Sequence, residues 1–318
     1  MRKGIFMFKK FLKSIFFIII FLFTTEKALT FEEYLATIQK EKKIHSSIPG
    51  IDFVYVINLK KRPEKWQKCL NHLIQKDIEA QRIEAVDGSL LNLDMVASLT
   101  PNLNPSYIKK GKPGFFDQNL KWTKYDQKKI KKLESANQKF VYSKMNTKGH
   151  LGAAFSHLTI LKDAIDSGYE NILVLEDDFQ IEGSTNTIGL LIQEANQSLG
   201  AANWDIIFLD NWHALEKEGI VELRKKPYLY PNLETIDMKE KSKVESLTER
   251  LNSIQSRYGL YSMVLSKRGV QKLYSYFKAN KMLYPIDAEI NNIPGIVLLE
   301  VKNHLITCDR SISDTINQ

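Results

Sequence analysis

Cysteine is almost missing from this chain: across 318 residues only Cys69 and Cys308 occur. Neither has a partner at metal-motif spacing, which excludes a cysteine-based metal site and leaves both as reduced, structural thiols suited to a thiol-reducing compartment. An excess of positive charge is also smaller than it looks. The net charge is +8, but Arg2, Lys3, Lys9, Lys10 and Lys13 supply five of those charges with no acid among them, leaving +3. That is too little to argue for nucleic acid as a partner. Long apolar runs are scarce as well. Residues 14–25, SIFFIIIFLFTT, form the notable one, and it falls short of the roughly 20 residues of a spanning helix. Behind its basic start it has the size of a signal-peptide core, although Glu26, Lys27 and Ala28 give a poor cleavage pattern. Extended back to Phe11, with Lys13 snorkelling, it serves equally as a membrane anchor. Both readings stand, and both associate the chain with a membrane through its N-terminus. The basic flank keeps that terminus cytoplasmic and sends the body across.

What remains is ordinary for a globular protein and long enough to bury a full core. Residues 1–25 are the signal or anchor, 26–50 a polar linker, and 51–318 a domain carrying an insertion at about 90–147. The domain opens with an apolar, β-branched run from Phe53 to Ile57, a buried first strand. Asn58 to Arg62 turns into a helix with Pro63 at its first position and Trp66, Leu70, Leu73 and Ile74 as the expected buried face. A second strand, 82–86, ends at Asp87-Gly88. A right-handed crossover makes the two strands parallel.

Residues 149–178, GHLGAAFSHLTILKDAIDSGYENILVLEDD, organise the rest. They read as a glycine turn, an amphipathic helix, a strand and an acidic tip. Leu151, Phe155, Leu158, Leu161 and Ile165 share one helix face and Gly168 stops it. Ile172 to Leu175 then suits a strand buried on both faces. Glu176, Asp177 and Asp178 stand at its carboxyl end, where open α/β sheets bind ligands. Three adjacent carboxylates repel one another, and a hard divalent cation, Mg2+ or Mn2+, relieves this. If the tip stays extended, Glu176 and Asp178 face the metal together and Asp177 points away. The competing reading is a solvated acidic turn.

The insertion matches no motif. Pro101, Pro105 and Pro113 break its first part, and its lysines, with Trp122, Tyr125, Phe140 and Tyr142 interspersed, read first as a solvated, irregular lid and second as a holder for an anionic or sugar acceptor. Beyond the tip, 186–199 reads as a helix and 204–209 as a buried strand closing at Asp210. An irregular region follows, with Trp212, His213, Tyr228 and Tyr230 placed to stack on a sugar or to cover the core. The spacing of Val244, Leu247, Leu251 and Ile254 predicts an amphipathic helix, then a strand over 259–265 and a helix capped by Ser266.

Several of these pieces together resemble glycosyltransferase family 25, the group of lipooligosaccharide and collagen galactosyltransferases. Gly149, Gly152, Ser156 and His157 leading to Glu176, Asp177 and Asp178 match its Gly-x-x-Gly, Ser-His and Glu-Asp-Asp pattern. Ile57-Asn58-Leu59, Arg62 and Ala85-Val86-Asp87-Gly88 match its opening. Gly259 to Gly269, Pro285-Ile286-Asp287 and Ser313-Asp314 match its closing segments. The chain departs at Lys65, where the family often has a second arginine, and so loses a bidentate fork there.

The resemblance implies an α/β domain of the GT-A nucleotide-diphospho-sugar transferase type, with a mostly parallel central sheet flanked by helices. It implies transfer of a hexose, galactose from UDP-galactose, to a glycan, lipid-linked or protein acceptor with inversion. Asn58, Arg62, Asp87, Gly149, Gly152, Ser156, His157, Glu176 and Asp177 are the expected sugar-nucleotide contacts, and Asp178 with Glu176 the expected ligands of Mn2+ or Mg2+. Inversion needs a base outside that acidic group. Asp287, at the Pro-x-Asp position, is the first candidate and Glu289 the second; as an alternative, Asp287 caps the following helix. A nucleotidyl- or phosphotransferase and a membrane-tethered sugar-binding protein without activity are the competing functions.

Overall fold

A computed structural model describes residues 30–38, 46–201, 203–219 and 243–309. The N-terminal apolar block, Tyr228, Tyr230 and Ser313-Asp314 lie outside the described residues. Among the described residues no helix is long and apolar enough to cross a membrane.

The domain begins as a strand, helix, strand unit: β1 (Phe53–Asn58), α1 (Pro63–Gln75) and β2 (Gln81–Glu84). The two strands are parallel with Tyr55 opposite Gln81, as the crossover rule requires. Pro63 stands at the first turn of α1, where its missing N–H costs nothing. The buried face of α1 is Lys65, Cys69 and Leu73, four residues apart, with Trp66 and Leu70 half-buried. Ile74, expected on that face, is 68% exposed, because the stripe has turned past it by the last turn.

The central sheet has eight strands. To β1 and β2 it adds β6 (Asn171–Glu176), β8 (Ile206–Phe208), β9 (Val244–Ser246), β10 (Leu251–Ile254), β11 (Ser262–Ser266) and β12 (Leu298–Val301), in the order β2-β1-β6-β11-β8-β12-β10-β9. The pairings leave β11 and β10 running against the other six, so the sheet is mostly parallel in direction. Its centre is covered on both faces. Tyr55, Val174 and Leu265 enter one cluster, and Val54, Val56, Leu173 and Leu175 enter another. This two-sided burial explains the continuous apolar runs.

The first face is packed by α5 (Lys148–Ser167) and α8 (Lys267–Asn280), the second by α1 and α6 (Asn186–Leu199). Thr147 caps α5 through the amide of His150, and Gly168, in the left-handed region at φ 71°, ends it. Gly149 and Gly152 lie within the first two turns of α5 and not in a turn before it. Ser266 caps α8, accepting from the amide of Gly269.

The expected helix over 244–254 is instead the antiparallel pair β9 and β10. Leu251 and Ile254 are both buried but belong to opposite clusters. On a strand, residues three apart point to opposite faces. With both faces covered, that spacing imitates a helix.

The insertion is folded, not irregular. It comprises α2 (Leu93–Leu99), α3 (Pro105–Gly111), β3 (Gly114–Asp117), β4 (Trp122–Thr123), α4 (Gln127–Ser135) and β5 (Phe140–Ser143). The three strands form a small antiparallel sheet with β3 central, and Phe115 and Phe116 are buried. The amides of Lys144 and Met145 both donate to the Leu283 carbonyl, fastening it to the main domain.

Candidate active site

Parallel strands deliver their carboxyl ends to one edge of the sheet. β1 brings Asn58 there, β2 leads to Asp87, and β6 brings Glu176. Since α5 runs antiparallel to the strand it feeds, its N-terminal turns reach the same edge. A narrow cavity of about 80 Å3 lies there, lined by Asp87, Gly149, Ser156, His157 and all three residues of the acidic tip.

The tip is a turn between β6 and β7 (Phe179–Ile181), not an extension of the strand. All three of its residues line one cavity. Each is handled differently. Glu176 Oε1 lies 3.0 Å from His157 Nε2, a buried ring on α5. Asp177 accepts from Asn58 Nδ2 at 2.7 Å and from Lys65 Nζ at 3.3 Å. The carboxylate of Asp178 is buried, and its Oδ1 has no partner among the described residues. Burial, then the charges of Glu176 and Asp177, push its pKa up to about 8.

Asn58 is 1% exposed and is the hub of this arrangement. Its amide nitrogen holds Asp177 and the Arg62 carbonyl, while its oxygen accepts from Arg82 Nε and Nη2 at 2.9 and 2.6 Å. It acts on the cavity through Asp177. Arg62 is directed elsewhere: its Nε donates to Glu64 at 2.5 Å, and it is not among the residues lining the cavity. Asp87 is paired with Lys61 at 2.7 Å and accepts from Ser89. Burial alone would raise its pKa, but these partners hold it down at about 2.

Ser156 and Gly152 set the position of α5. The Ser156 hydroxyl donates to the Gly152 carbonyl and accepts from the Val86 amide, both at 2.8 Å. A Cβ on Gly152 would come within 2.4 Å of the Val86 carbonyl and 2.9 Å of the Gly88 nitrogen. Those are backbone atoms and cannot swing aside. Gly152→Ala is therefore expected to cost about 1–3 kcal/mol of stability, measured as a shift in denaturant midpoint at unchanged slope. An unshifted midpoint would contradict the close approach.

On the other side of the α5 N-terminus lies a second cavity of about 420 Å3. Asp287, in α9 (Ile286–Ile290), lines it together with His150, Trp122, Tyr258 and Tyr284. Asp287 is not the helix cap, since Pro285 holds that position. Its Oδ2 accepts from the Gly259 amide at 3.1 Å and its Oδ1 from the Ala288 amide at 2.8 Å. Burial raises its pKa, partly offset by the Gly259 amide and His150. Glu289 does not line this cavity. It is 2% exposed, and its Oε1 accepts from the amides of Leu283 and Tyr284 at 2.6 and 2.8 Å, clamping the turn before α9.

Trp212 and His213 lie in α7 (Trp212–Lys217), the first half-buried and the second buried. His213 Nδ1 lies 2.9 Å from the fully buried Glu300. The Arg257 guanidinium lies 4.1 Å from the Phe208 ring centroid and 5.6 Å from that of Trp212, and it is paired with Asp210 at 2.6 Å.

Sequence reasoning undervalued Lys65 and missed Arg82 and the second cavity. Lys65 shares its helix stripe with Cys69 and Leu73, so helical spacing alone predicts a buried ammonium, which requires an acidic partner. The second cavity is assembled from four separate segments, and no local spacing announces it.

The family model described as "Glycosyltransferase family 25 (LPS biosynthesis protein)" matches residues 51–290. Human procollagen galactosyltransferase 2 is 24% identical over 240 residues, which is 75% of this chain and 29% of that protein. Zebrafish (Danio rerio) procollagen galactosyltransferase 1 is 27% identical over 242 residues, 75% of this chain and 30% of that protein. The human inactive glycosyltransferase 25 family member 3 is 26% identical over 175 residues, 54% of this chain and 24% of that protein. The matched region thus spans less than a third of each of these relatives. Matched by that family model over residues 51–290, the chain belongs to glycosyltransferase family 25.

Proposed function

We propose that the chain transfers a hexose, galactose from UDP-galactose, to a hydroxyl group of a glycan, lipid-linked or protein acceptor with inversion at the anomeric carbon. The observation that carries this reading is the buried, unpartnered Asp178 Oδ1 beside two further carboxylates at a strand end. An orphaned carboxylate oxygen in this setting fits a hard cation. Asp178 would hold Mn2+ or Mg2+, with Glu176 as second ligand. Among the described residues no group of three or more His, Cys, Asp or Glu is arranged around one ion. Water and the donor diphosphate would complete the shell, as is usual for these ions. Such an ion supplies charge stabilisation to the departing diphosphate.

The chain's own residues supply the rest. His157 orients Glu176, while Asn58 and Lys65 hold Asp177. The cavity at the tip, about 80 Å3, has room for a hydrated ion or one phosphate. The remaining parts of a sugar nucleotide would run along the strand ends past Asp87 and Gly149. On the far side of the α5 N-terminus, Asp287 takes the acceptor proton on a carboxylate oxygen. The acceptor oxygen then bonds to the anomeric carbon as the bond to the diphosphate breaks. Burial makes Asp287 a stronger base than an ordinary carboxylate.

The similarity to relatives named inactive favours one alternative, a sugar- or nucleotide-binding protein without turnover. A donor screen with manganese present, recording UDP release, separates the two. Consumption of a nucleoside triphosphate instead of a sugar nucleotide would favour a nucleotidyl- or phosphotransferase. Membrane association through the N-terminal segment belongs to the same proposal.

A further inference from the structure

The positive charge of this chain is concentrated in two places. The basic N-terminus supplies five charges, and residues 90–147 hold eleven lysines against four acidic residues, a net +7, so that the remainder of a chain of net +8 is acidic. One edge of this basic subdomain is a wall of the 420 Å3 cavity, a volume in the range of small-ligand sites. Lys112, Lys124 and Lys144 line it. Lys144 Nζ is bound at 2.6 Å to the Gly111 carbonyl, which ties the end of α3 to β5. Lys112 and Lys124 are exposed at the rim.

The interior of the cavity is aromatic. Trp122 and Tyr284 line it, and the Trp122 ring lies so close over Gly114 that a Cβ there would come within 2.2 Å of it. Trp122 Nε1 donates to the Ser143 carbonyl, which fixes the ring. His150 lines the cavity as well; its Nδ1 is buried without a partner among the described residues, and burial lowers its pKa. A flat ring wall, an orphaned imidazole nitrogen and a lysine rim suit a pyranose whose apolar face stacks, whose hydroxyl meets His150 and whose acidic substituent meets the ammonium groups. Among the described residues Asp287 is the single acidic one in the lining.

We infer that this cavity binds an anionic sugar, bearing a carboxylate or a phosphate, as the acceptor residue. Its role as acceptor rests on the glycosyl-transfer reading above, but its preference for negative charge does not.

The test is equilibrium binding to the full chain at low salt of methyl β-D-glucuronide, glucose 6-phosphate and methyl β-D-glucoside, with inorganic phosphate as control. At least tenfold tighter binding of one anionic sugar than of the glucoside is expected, and which one wins separates carboxylate from phosphate. The preference should disappear in the Lys112→Glu, Lys124→Glu double variant and shrink at high salt, since exposed charges are screened. Both positions are exposed, and an unchanged thermal transition checks that the variant folds. Equal affinity for all three sugars, no binding of any, or phosphate alone binding as tightly as glucose 6-phosphate would each overturn the inference. UDP binding, measured on the unaltered chain, reports separately. Its absence alongside retained anionic-sugar preference would remove the acceptor role and leave the cavity assignment standing.

Discussion

Asp178→Asn is expected to lower turnover by about 10³ while leaving the folded state as stable as before, or more so. The two effects part because Asp178 is a cost to the apo fold. Its carboxyl is buried, its Oδ1 is unpartnered, and Glu176 and Asp177 oppose its ionisation. An amide of the same shape removes the electrostatic penalty and forfeits the ligand charge. Thermal unfolding without metal, set beside turnover with saturating manganese, checks both halves. A variant that loses activity and stability together would make Asp178 a structural residue.

Asp287→Asn should lose turnover by a factor of about 10² to 10⁴ on a chain that still folds and still binds UDP. The amide oxygen of Asn can keep one of the two hydrogen bonds from the Gly259 and Ala288 amides. Losing the other leaves a backbone donor unsatisfied at a cost of about 1–3 kcal/mol, which the fold should survive. What the amide cannot do is accept a proton. Single-turnover kinetics with bound donor isolate that step, and near-normal turnover would rule Asp287 out as the base. Glu289 does not inherit the role readily, because it is 2% exposed and does not line the cavity that Asp287 lines.

Much of this was legible in the sequence because it is local. β1, α5 and β6 are each announced by their own periodicity, and Gly168 and Ser266 by the chemistry of helix ends. The acidic tip is visible as three letters. Its internal division of labour is not. That Asp177 belongs to Asn58 and Lys65, and Glu176 to His157, follows from the pairing of β1 with β6 and the descent of α5 onto their ends. Those contacts join residues 19 and 119 positions apart. The error over 244–254 has an equally definite cause: β10 buries Leu251 and Ile254 on opposite faces and β9 is exposed throughout, so neither strand shows the alternation that would reveal it. The pairing of Arg62 with Glu64, two residues on, was not foreseen either.

The central claim is that the acidic strand end serves a sugar nucleotide, and it is tested most directly by the donor screen run with manganese and again with excess EDTA. The account predicts release of UDP from UDP-galactose with manganese and its loss on chelation. Turnover of a nucleoside triphosphate in its place, no turnover of any sugar nucleotide, or equal rates in EDTA would contradict it.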